Sequence, residues 1–288
     1  MSKRSLSSYL ERAFAIATDP AQRKRYFLKR SASATFPERL AYDALPRPNY
    51  AYGVYRAALE AKALEIPAIS AIEFGVAGAA GLFDLERIAG EVERETGVAV
   101  QVYGFDTAAG MPPPVDYRDM GYVWATGQFA PHEDFRPRLK KAKFVIGDVA
   151  ETVPRFCGEF NPAPIGFVAF DLDYYSSTVH ALELFEADSS KLLPRVICYM
   201  DDIVGDDHEL HSAFTGELLA IEEFNAAHAM RKVAPINLLR HKRKIPSVWN
   251  DQMFVAHIFD HPLYNQYTNP RWPKPKGQKP LPGVVVKG

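Results

Sequence analysis

Cysteine, net charge and long apolar runs are all scarce in this sequence of 288 residues. Its two cysteines, Cys157 and Cys198, lie in apolar surroundings, and their spacing does not suggest a disulfide framework or a cysteine zinc site. A formal net charge of -1 gives no general attraction to nucleic acid. No apolar run approaches the roughly 20 residues of a membrane-spanning helix, and the N-terminus lacks the apolar core of a signal peptide. We therefore expect a cytoplasmic protein without nucleic-acid or membrane partners.

Composition divides the chain into three parts. Residues 1–66 predict a helical N-terminal extension, in which Leu6, Tyr9, Leu10 and Phe14 recur at helix spacing. Residues 67–260 alternate short apolar runs with amphipathic stretches, which is the pattern of an α/β domain. Residues 261–288 are rich in Pro, Lys and Gly and lack periodicity, so they predict an extended tail.

Five apolar runs in the α/β part predict buried strands separated by helices. They are AISAIEFG, VAVQVYGFD, AKFVIGD, IGFVAFDLD and RVICYMDD. Two further runs, VAPINLLR and MFVAHIFD, follow each other directly and favour an antiparallel pair. The sequence thus predicts a doubly wound, mostly parallel sheet of seven strands that ends in an antiparallel pair, with helices on both faces.

Acidic residues stand where each of the five predicted parallel strands ends. Ligands of open α/β sheets bind outside the carboxyl ends of the strands, so these side chains predict one common site. They are Glu73, Asp106, Asp148, Asp171 with Asp173, and Asp201 with Asp202.

The first strand leads into a glycine loop, EFGVAGAAGL, in which Gly75, Gly78 and Gly81 follow Glu73. Glycines at this place let the backbone turn sharply and approach a ligand closely, which indicates a nucleotide-like cofactor. The spacing G-x-x-G-x-x-G differs from the dinucleotide fingerprint G-x-G-x-x-G, and the anionic Glu73 suits a cationic ligand. The alternative interpretation is a tight turn without a ligand.

Two acids after the next strands fit the same ligand. Asp106 stands where the hydroxyls of a ribose are held by paired hydrogen bonds. Asp148 is placed to accept a hydrogen bond from an adenine amino group, and the alternative for this residue is a helix N-cap.

The stretch FDLDYYSST, from Phe170 to Thr178, ends a buried run in two aspartates. Residues i and i+2 of a strand share a face, so Asp171 and Asp173 are expected to point the same way. Carboxylates this close repel each other unless a cation or a shared proton lies between them. The alternative is a pair of capping aspartates with a hydroxyl turn at the start of the next helix.

Together these residues resemble a known family. Glu73 with its glycines, Asp106 and Asp148 look like the Rossmann-like class I S-adenosylmethionine-dependent methyltransferases, and the resemblance spans about residues 68–260. The runs FDTAAGMPPP, MGYVWATGQFA, GDVAETVP, DLDYYSST and MDD narrow it to the macrocin O-methyltransferase group. This resemblance implies S-adenosylmethionine as cofactor and the hydroxyl of a sugar or related natural product as substrate.

The resemblance also implies roles for the later acids. Asp171, Asp201 and Asp202 match the positions that hold a divalent cation in that group, and Asp173 matches the general base. Three carboxylates without cysteine or histidine make a hard oxygen donor set, which suits magnesium, manganese or calcium better than zinc.

The connection 107–141 is long enough to be a lid over the substrate. Its apolar and aromatic residues either cover a substrate or pin the loop to the body of the protein; they are Met111, Tyr117, Tyr122, Trp124 and Phe129. The basic runs RKRYFLKR and RHKRK predict solvated faces.

Two rival functions share some of these features. A nicotinamide-linked oxidoreductase also uses a glycine turn and an acid after the second strand, although the glycine spacing found here speaks against it. A methyltransferase-like scaffold without turnover would use the basic N-terminal helices to bind a partner. A homodimer or a higher homo-oligomer is compatible with either function, and the expected small-molecule partner carries a hydroxyl group.

Overall fold

The computed structural model describes residue 14 and residues 16–269. The helix predicted around Leu6, Tyr9 and Leu10 and the end of the predicted tail lie outside these residues. In the part of the chain that is described, no helix combines the length and the apolar character needed to cross a membrane.

Seven strands and eight helices form the framework within the described residues. The strands are β1 Ala68–Phe74, β2 Ala99–Asp106, β3 Lys143–Ile146, β4 Ile165–Phe170, β5 Leu192–Met200, β6 Arg231–Pro235 and β7 Met253–Ile258. The helices are α1 Pro20–Leu28, α2 Phe36–Ala41, α3 Pro48–Ala63, α4 Ala80–Thr96, α5 Val149–Phe160, α6 Tyr175–Leu182, α7 Gly216–Ala227 and α8 Leu239–Lys242.

The strands form a single sheet in the order β3-β2-β1-β4-β5-β7-β6. Strands β1 to β5 are parallel, and β7 runs antiparallel to both β5 and β6. The predicted α/β fold class is confirmed, including the antiparallel pair at the end. From β1 the chain adds β2 and β3 on one side of the sheet, and from β4 it adds β5 on the other side. In sheets of this kind a crevice opens at the carboxyl ends of the two strands where the direction changes, here β1 and β4.

Successive side chains of a strand point to opposite faces of the sheet, so the strands contribute to two apolar cores, one on each face. On one face, Ile69 and Ala71 of β1 pack in the core that includes helices α3 and α4. On the other face, Ile72 and Phe74 pack in the core that includes α5, α6 and α7. Glu73 shares its face with Ile69 and Ala71, so its carboxylate is directed toward the helices of the N-terminal extension.

Helix boundaries follow local signals. Helix α4 ends at Gly97, which has φ of 78° and whose backbone N–H donates to the carbonyl oxygen of Glu93. Helix α7 begins at Gly216, and α6 is followed by short 3-10 turns at Glu183–Glu186 and Ser189–Lys191.

One prediction about β4 is wrong. The strand ends at Phe170, so Asp171 and Asp173 lie beyond it and do not share a strand face. Asp173 has φ of 60°, a left-handed conformation that is uncommon outside glycine. A backbone turn, rather than the pleat of a strand, therefore sets the directions of the two side chains.

The basic run RHKRK is only partly solvated. Arg243 donates to Asp43 Oδ1 at 2.7 Å, and its side chain is only 10% exposed. The indole of Trp249 donates to the other oxygen of Asp43 at 3.0 Å. The prediction of a solvated face is wrong for Arg243, which ties the loop before β7 to the N-terminal helices.

Candidate active site

A cavity of about 380 Å³ opens at the carboxyl ends of β1, β2, β4 and β5. All of the residues that the sequence predicts for a site line this one cavity. They are Glu73, Gly75, Gly78, Gly81, Asp106, Asp148, Asp171, Asp173, Asp201 and Asp202. The structure thus brings together side chains that are spread over 130 positions of sequence (202 − 73 + 1).

Glu73 is a buried carboxylate with one free oxygen. Its side chain accepts a hydrogen bond from the Tyr50 hydroxyl at 2.7 Å through Oε1, while Oε2 has no partner among the described residues. The residue is 2% exposed, and burial raises the pKa of its carboxyl to about 7. A cationic group in the cavity would satisfy Oε2 and favour the ionised form.

The raised pKa of Glu73 predicts a pH-dependent stability. The carboxyl ionises near 4.5 when unperturbed and near 7 in the fold, so its contribution to stability is complete below about pH 4.5 and is lost as pH rises through about 7. The difference corresponds to roughly 3 kcal/mol. We expect the Glu73→Gln variant to exceed the wild type in free energy of unfolding at about pH 8 and to approach it at about pH 5, measured by urea unfolding without ligand.

Glu95 supplies the control for this experiment. It is exposed on helix α4, and the Glu95→Gln variant is expected to follow the wild type at both pH values. An identical pH dependence in Glu73→Gln and the wild type would contradict the assignment of the raised pKa to Glu73.

Two of the three predicted glycines are required by close approach. Gly75 has φ of 80°, and a Cβ there would lie 1.6 Å from the carbonyl oxygen of Asp171. A Cβ on Gly81 would lie 1.8 Å from Oε1 of Glu73, so this glycine lets the start of α4 pass directly over the buried carboxylate. Gly78 has open space around its would-be Cβ.

Asp106 ties the glycine loop to the end of β2. Its Oδ2 accepts hydrogen bonds from the backbone N–H groups of Val76 and Ala77, at 2.8 and 2.9 Å, and its Oδ1 accepts one from Ala108 at 2.6 Å. Since each carboxylate oxygen has two acceptor sites, Oδ1 keeps capacity for one more donor. The predicted contact with a ribose stays a prediction.

Asp148 is the N-cap of helix α5. Its side chain accepts a hydrogen bond from the Ala150 N–H at 2.9 Å, as the capping alternative predicts. The residue also lines the cavity. Its predicted contact with an adenine amino group remains a prediction.

Three carboxylates meet at the ends of β4 and β5. One carboxylate oxygen each from Asp171, Asp201 and Asp202 lie within 4.8 Å of one another. Burial raises the pKa of Asp171 and of Asp202 well above the usual range, and the neighbouring carboxylates raise both further. The hydroxyl of Tyr199 donates to Asp201 Oδ1, and Gln252 Nε2 donates to the Asp201 carbonyl oxygen at 2.8 Å.

This donor set fits a hard divalent cation. Carboxylate oxygens are the ligands that magnesium, manganese and calcium prefer, and like charges this close in a buried place need a compensating charge. A bound divalent cation would favour the ionised forms of Asp171 and Asp202 and lower the pKa values of these two carboxyl groups.

Asp173 lies beside this cluster. Its backbone N–H donates to Asp202 Oδ2 at 2.7 Å, and the left-handed turn brings its own carboxyl group into the cavity. Burial raises the pKa of the Asp173 carboxyl to about 7, with Asp171 as the next contributor. A carboxyl group with this pKa is able to exchange a proton near neutral pH.

A fourth acid below the cluster was missed by sequence reasoning. Glu217, in the first turn of α7, is fully buried and accepts a hydrogen bond from the Asp202 N–H at 3.2 Å. Its Oε1 has no partner among the described residues. Acidic residues are common in the first turn of a helix because the helix dipole favours negative charge there. The sequence position of Glu217 therefore does not indicate its contact with Asp202.

The lid connection is partly pinned to the body. Asp119, 1% exposed, accepts hydrogen bonds from the backbone N–H and the hydroxyl of Ser176, at 2.8 and 3.0 Å. Arg118 donates to the Tyr175 hydroxyl at 2.9 Å, and the Tyr174 hydroxyl contacts the carbonyl oxygen of Trp124 at 3.3 Å. The segment 174–176 therefore contacts the connection 107–141, whereas Asp171 and Asp173, which precede it, line the cavity.

Only some of the predicted lid side chains face the cavity. Met111, Trp124 and Phe129 line it. Tyr117 and Tyr122 are 77% and 65% exposed, and the Tyr122 hydroxyl donates to the carbonyl oxygen of Glu209 at 2.8 Å. The Tyr122 contact fits the interpretation that the connection is pinned to the body, and the cover over a substrate stays a prediction for Met111, Trp124 and Phe129.

Comparison with known proteins yields matches among solved structures. No family model matches the chain, and no curated protein is a significant match. The chain is similar to the calicheamicin methyltransferase CalS11, with 23% identity and a TM-score of 0.49, over 89% of this chain and 94% of that chain. The chain is also similar to the O-methyltransferase NovP, with 15% identity and a TM-score of 0.48, over 73% of this chain and 79% of that chain. A third similar structure is that of the O-methyltransferase TomG from Streptomyces achromogenes in complex with SAM. Its identity to this chain is 14% and the TM-score is 0.40, over 85% of this chain and 94% of that chain.

All three solved structures are methyltransferases by name.

Proposed function

We propose that this chain is an S-adenosylmethionine-dependent O-methyltransferase that acts on a hydroxyl group of a small molecule and uses a divalent cation. The observation that carries the proposal is the division of one cavity into two halves. One half contains the glycine loop with Glu73 and Asp106, and the other contains the carboxylates around Asp171 and Asp173.

The first half suits the cofactor. Gly75 and Gly81 allow close backbone approach, and Glu73 presents an unpartnered buried oxygen to a cationic ligand. S-Adenosylmethionine carries positive charge at both its sulfonium and its ammonium group. A nicotinamide dinucleotide would instead bring a pyrophosphate to a loop that begins with a buried carboxylate and lacks the dinucleotide spacing.

The second half suits the activation of a hydroxyl group. Asp171, Asp201 and Asp202 would hold the divalent cation, which when bound lowers the pKa of a nearby hydroxyl by Lewis-acid polarisation. Asp173 would accept the proton of the substrate hydroxyl while the methyl group is transferred from the sulfonium sulfur to the hydroxyl oxygen. The cavity would have to hold the hydroxyl oxygen in line with the sulfur–methyl bond, and such positioning supplies a large part of the rate in reactions of this kind.

The class of methyl acceptor is inferred from the resemblance of DLDYYSST and the other quoted runs to the macrocin O-methyltransferase group. We propose a sugar hydroxyl or a hydroxyl of a glycosylated natural product, reached through the lid side, where Met111, Trp124 and Phe129 line the cavity. The main alternative is a methyltransferase-like protein that binds the cofactor without turnover.

Titration calorimetry tests the cofactor assignment. The purified chain is titrated with S-adenosylmethionine, S-adenosylhomocysteine and NADH, in magnesium and again in EDTA. We expect binding in the micromolar range for the two sulfur compounds and none for NADH. Absence of binding by all three would remove the basis of the proposal, and binding of NADH alone would favour the oxidoreductase.

Methyl transfer to a panel of glycosides then separates an enzyme from a scaffold. Formation of S-adenosylhomocysteine that depends on an added acceptor supports the enzyme. Cofactor binding without transfer to any acceptor, in the presence of magnesium, favours the scaffold.

A further inference from the structure

Helix α6 begins without a cap of its own. Its N-cap residue is Tyr174, whose side chain makes no capping hydrogen bond within the described part of the chain. A capping side chain would normally accept a hydrogen bond from a backbone N–H of the first turn. The Ser176 N–H, in that turn, instead donates to Asp119 Oδ1 at 2.8 Å, and Asp119 lies 57 positions away in the connection 107–141. The connection thus supplies the acceptor that the start of α6 lacks.

Asp119 is a buried acid with hydrogen bonds to both of its carboxylate oxygens. Besides the Oδ1 contact, its Oδ2 accepts from the Ser176 hydroxyl at 3.0 Å and from the Val115 N–H at 2.7 Å. A negative charge at the start of a helix is also favoured by the helix dipole. Among the described residues, those that line the cavity do not include Asp119. Its contacts therefore join the connection to α6, and any effect on a bound ligand has to pass through another residue.

The residue through which Asp119 would act is Asp173, which directly precedes the N-cap of α6. Asp173 has φ of 60°, and a left-handed residue other than glycine persists where the surrounding structure holds it in place. On one side, its backbone N–H donates to Asp202 Oδ2 at 2.7 Å. On the other side, the chain enters the first turn of α6, where Asp119 bonds Ser176. The turn that directs the Asp173 carboxyl group into the cavity is thus held at both ends.

Two neighbouring contacts join the same segments but differ in kind. The Tyr174 hydroxyl contacts the carbonyl oxygen of Trp124 at 3.3 Å. Arg118 donates to the Tyr175 hydroxyl at 2.9 Å, with its guanidinium 4.3 Å from the centre of the tyrosine ring. On the α6 side these contacts are made by tyrosine side chains, whereas Asp119 bonds the helix backbone. The Asp119 contact is therefore the one that fixes the first turn of α6 directly.

We infer that Asp119 is a positioning residue for methyl transfer: by capping α6 from the connection 107–141, it holds Asp173 where this carboxyl group takes the proton of the acceptor hydroxyl. The inference deepens the proposed function and rests on it, because Asp173 is the general base there. A displacement of about 1 Å at a reacting group costs about 100-fold in rate. Loss of the cap is therefore expected to lower kcat and to leave the affinity for the cofactor unchanged.

A double-mutant cycle with Asp119→Ala and Asp173→Asn tests the inference. The measurement is kcat for methyl transfer from S-adenosylmethionine to the glycoside of the panel that the wild type methylates fastest. We expect Asp119→Ala to lower kcat by about 10- to 100-fold in the wild-type background. In the Asp173→Asn background we expect a change within about twofold, because a residue that acts through the base has nothing left to position.

Three controls accompany the cycle. The affinity for S-adenosylhomocysteine is expected to stay within about twofold in each variant, which shows that the cavity is folded. Asp119→Asn keeps one acceptor oxygen for the Ser176 N–H but turns an amide donor toward the other partners, so its kcat is expected to lie between those of Asp119→Ala and the wild type. Asp134→Ala removes an exposed acid of the same connection that bonds Arg136, and it is expected to keep wild-type kcat.

The outcomes separate the positioning role from the proposed function. A wild type that methylates no glycoside of the panel would overturn the proposed function and the positioning role with it. An active wild type in which Asp119→Ala keeps its kcat, or loses the same factor in both backgrounds, would overturn the positioning role alone. If Asp119→Ala loses its affinity for S-adenosylhomocysteine, the cycle is run with Asp119→Asn, and an equal loss of kcat in both backgrounds again overturns the role.

Discussion

Replacement of Asp173 by Asn is expected to lower kcat by about 10²- to 10⁴-fold, the range that a positioned general base contributes. The amide cannot accept the hydroxyl proton, while its size and shape match those of the carboxyl group. Asparagine also tolerates the left-handed backbone that Asp173 adopts at φ of 60°, so the turn is expected to survive. The measurement is kcat for methyl transfer at saturating cofactor and acceptor, together with the affinity for S-adenosylhomocysteine, which is expected to remain unchanged.

Asp207 offers a matched control for this substitution. It is an exposed aspartate in the loop after β5, and Asp207→Asn is expected to keep wild-type kcat. Full activity of Asp173→Asn would show that another group removes the proton. A loss of activity accompanied by lost affinity for S-adenosylhomocysteine would point instead to a disturbed cavity.

Removal of the divalent cation is expected to abolish turnover and to lower the thermal stability of the protein. The physical reason is the set of carboxylates from Asp171, Asp201 and Asp202, whose oxygens lie within 4.8 Å of one another. A cation that binds only the folded state stabilises it by about 2.7 kcal/mol at 100 times its Kd. We therefore expect magnesium to raise the Tm of EDTA-treated wild type by several degrees and to restore activity.

The same titration on variants locates the site. Asp171→Asn is expected to lose the magnesium-dependent rise in Tm, a readout that does not require activity. Asp206→Asn, which changes an exposed acid a few residues after the cluster, is expected to keep it. An unchanged magnesium response in Asp171→Asn, or full turnover in EDTA, would rule out a catalytic cation at these carboxylates.

Sequence reasoning located the strand-end acids because they follow from local rules. An apolar run of buried-strand length predicts where each strand ends, and ligands of an open α/β sheet bind at those ends. Glu73, Asp106 and Asp201 lie at three different strand ends and line one cavity, as the topology requires. The error at β4 had a local cause, since the alternation in IGFVAFDLD continues past Phe170 while the backbone does not.

The residues that sequence reasoning missed come from distant elements. Tyr50 reaches Glu73 from the N-terminal extension, and Glu217 reaches Asp202 from a helix beyond the last parallel strand. Arg243, in a run predicted to be solvated, is largely buried where it donates to Asp43, 200 positions away. Periodicity and motif spacing describe neighbours along the chain, so they contain no information about such contacts.

The sequence by itself determined the fold class, the order of the strands along the chain and the acidic character of their carboxyl ends, because these depend on hydrophobic periodicity and on local spacing. Only the tertiary structure decided which acids are buried and unpartnered, how Asp173 turns into the cavity, and that the Tyr50 hydroxyl reaches Glu73. Burial and charge proximity depend on packing between separate elements, and these quantities set the pKa values and the ligand charges that the cavity accepts.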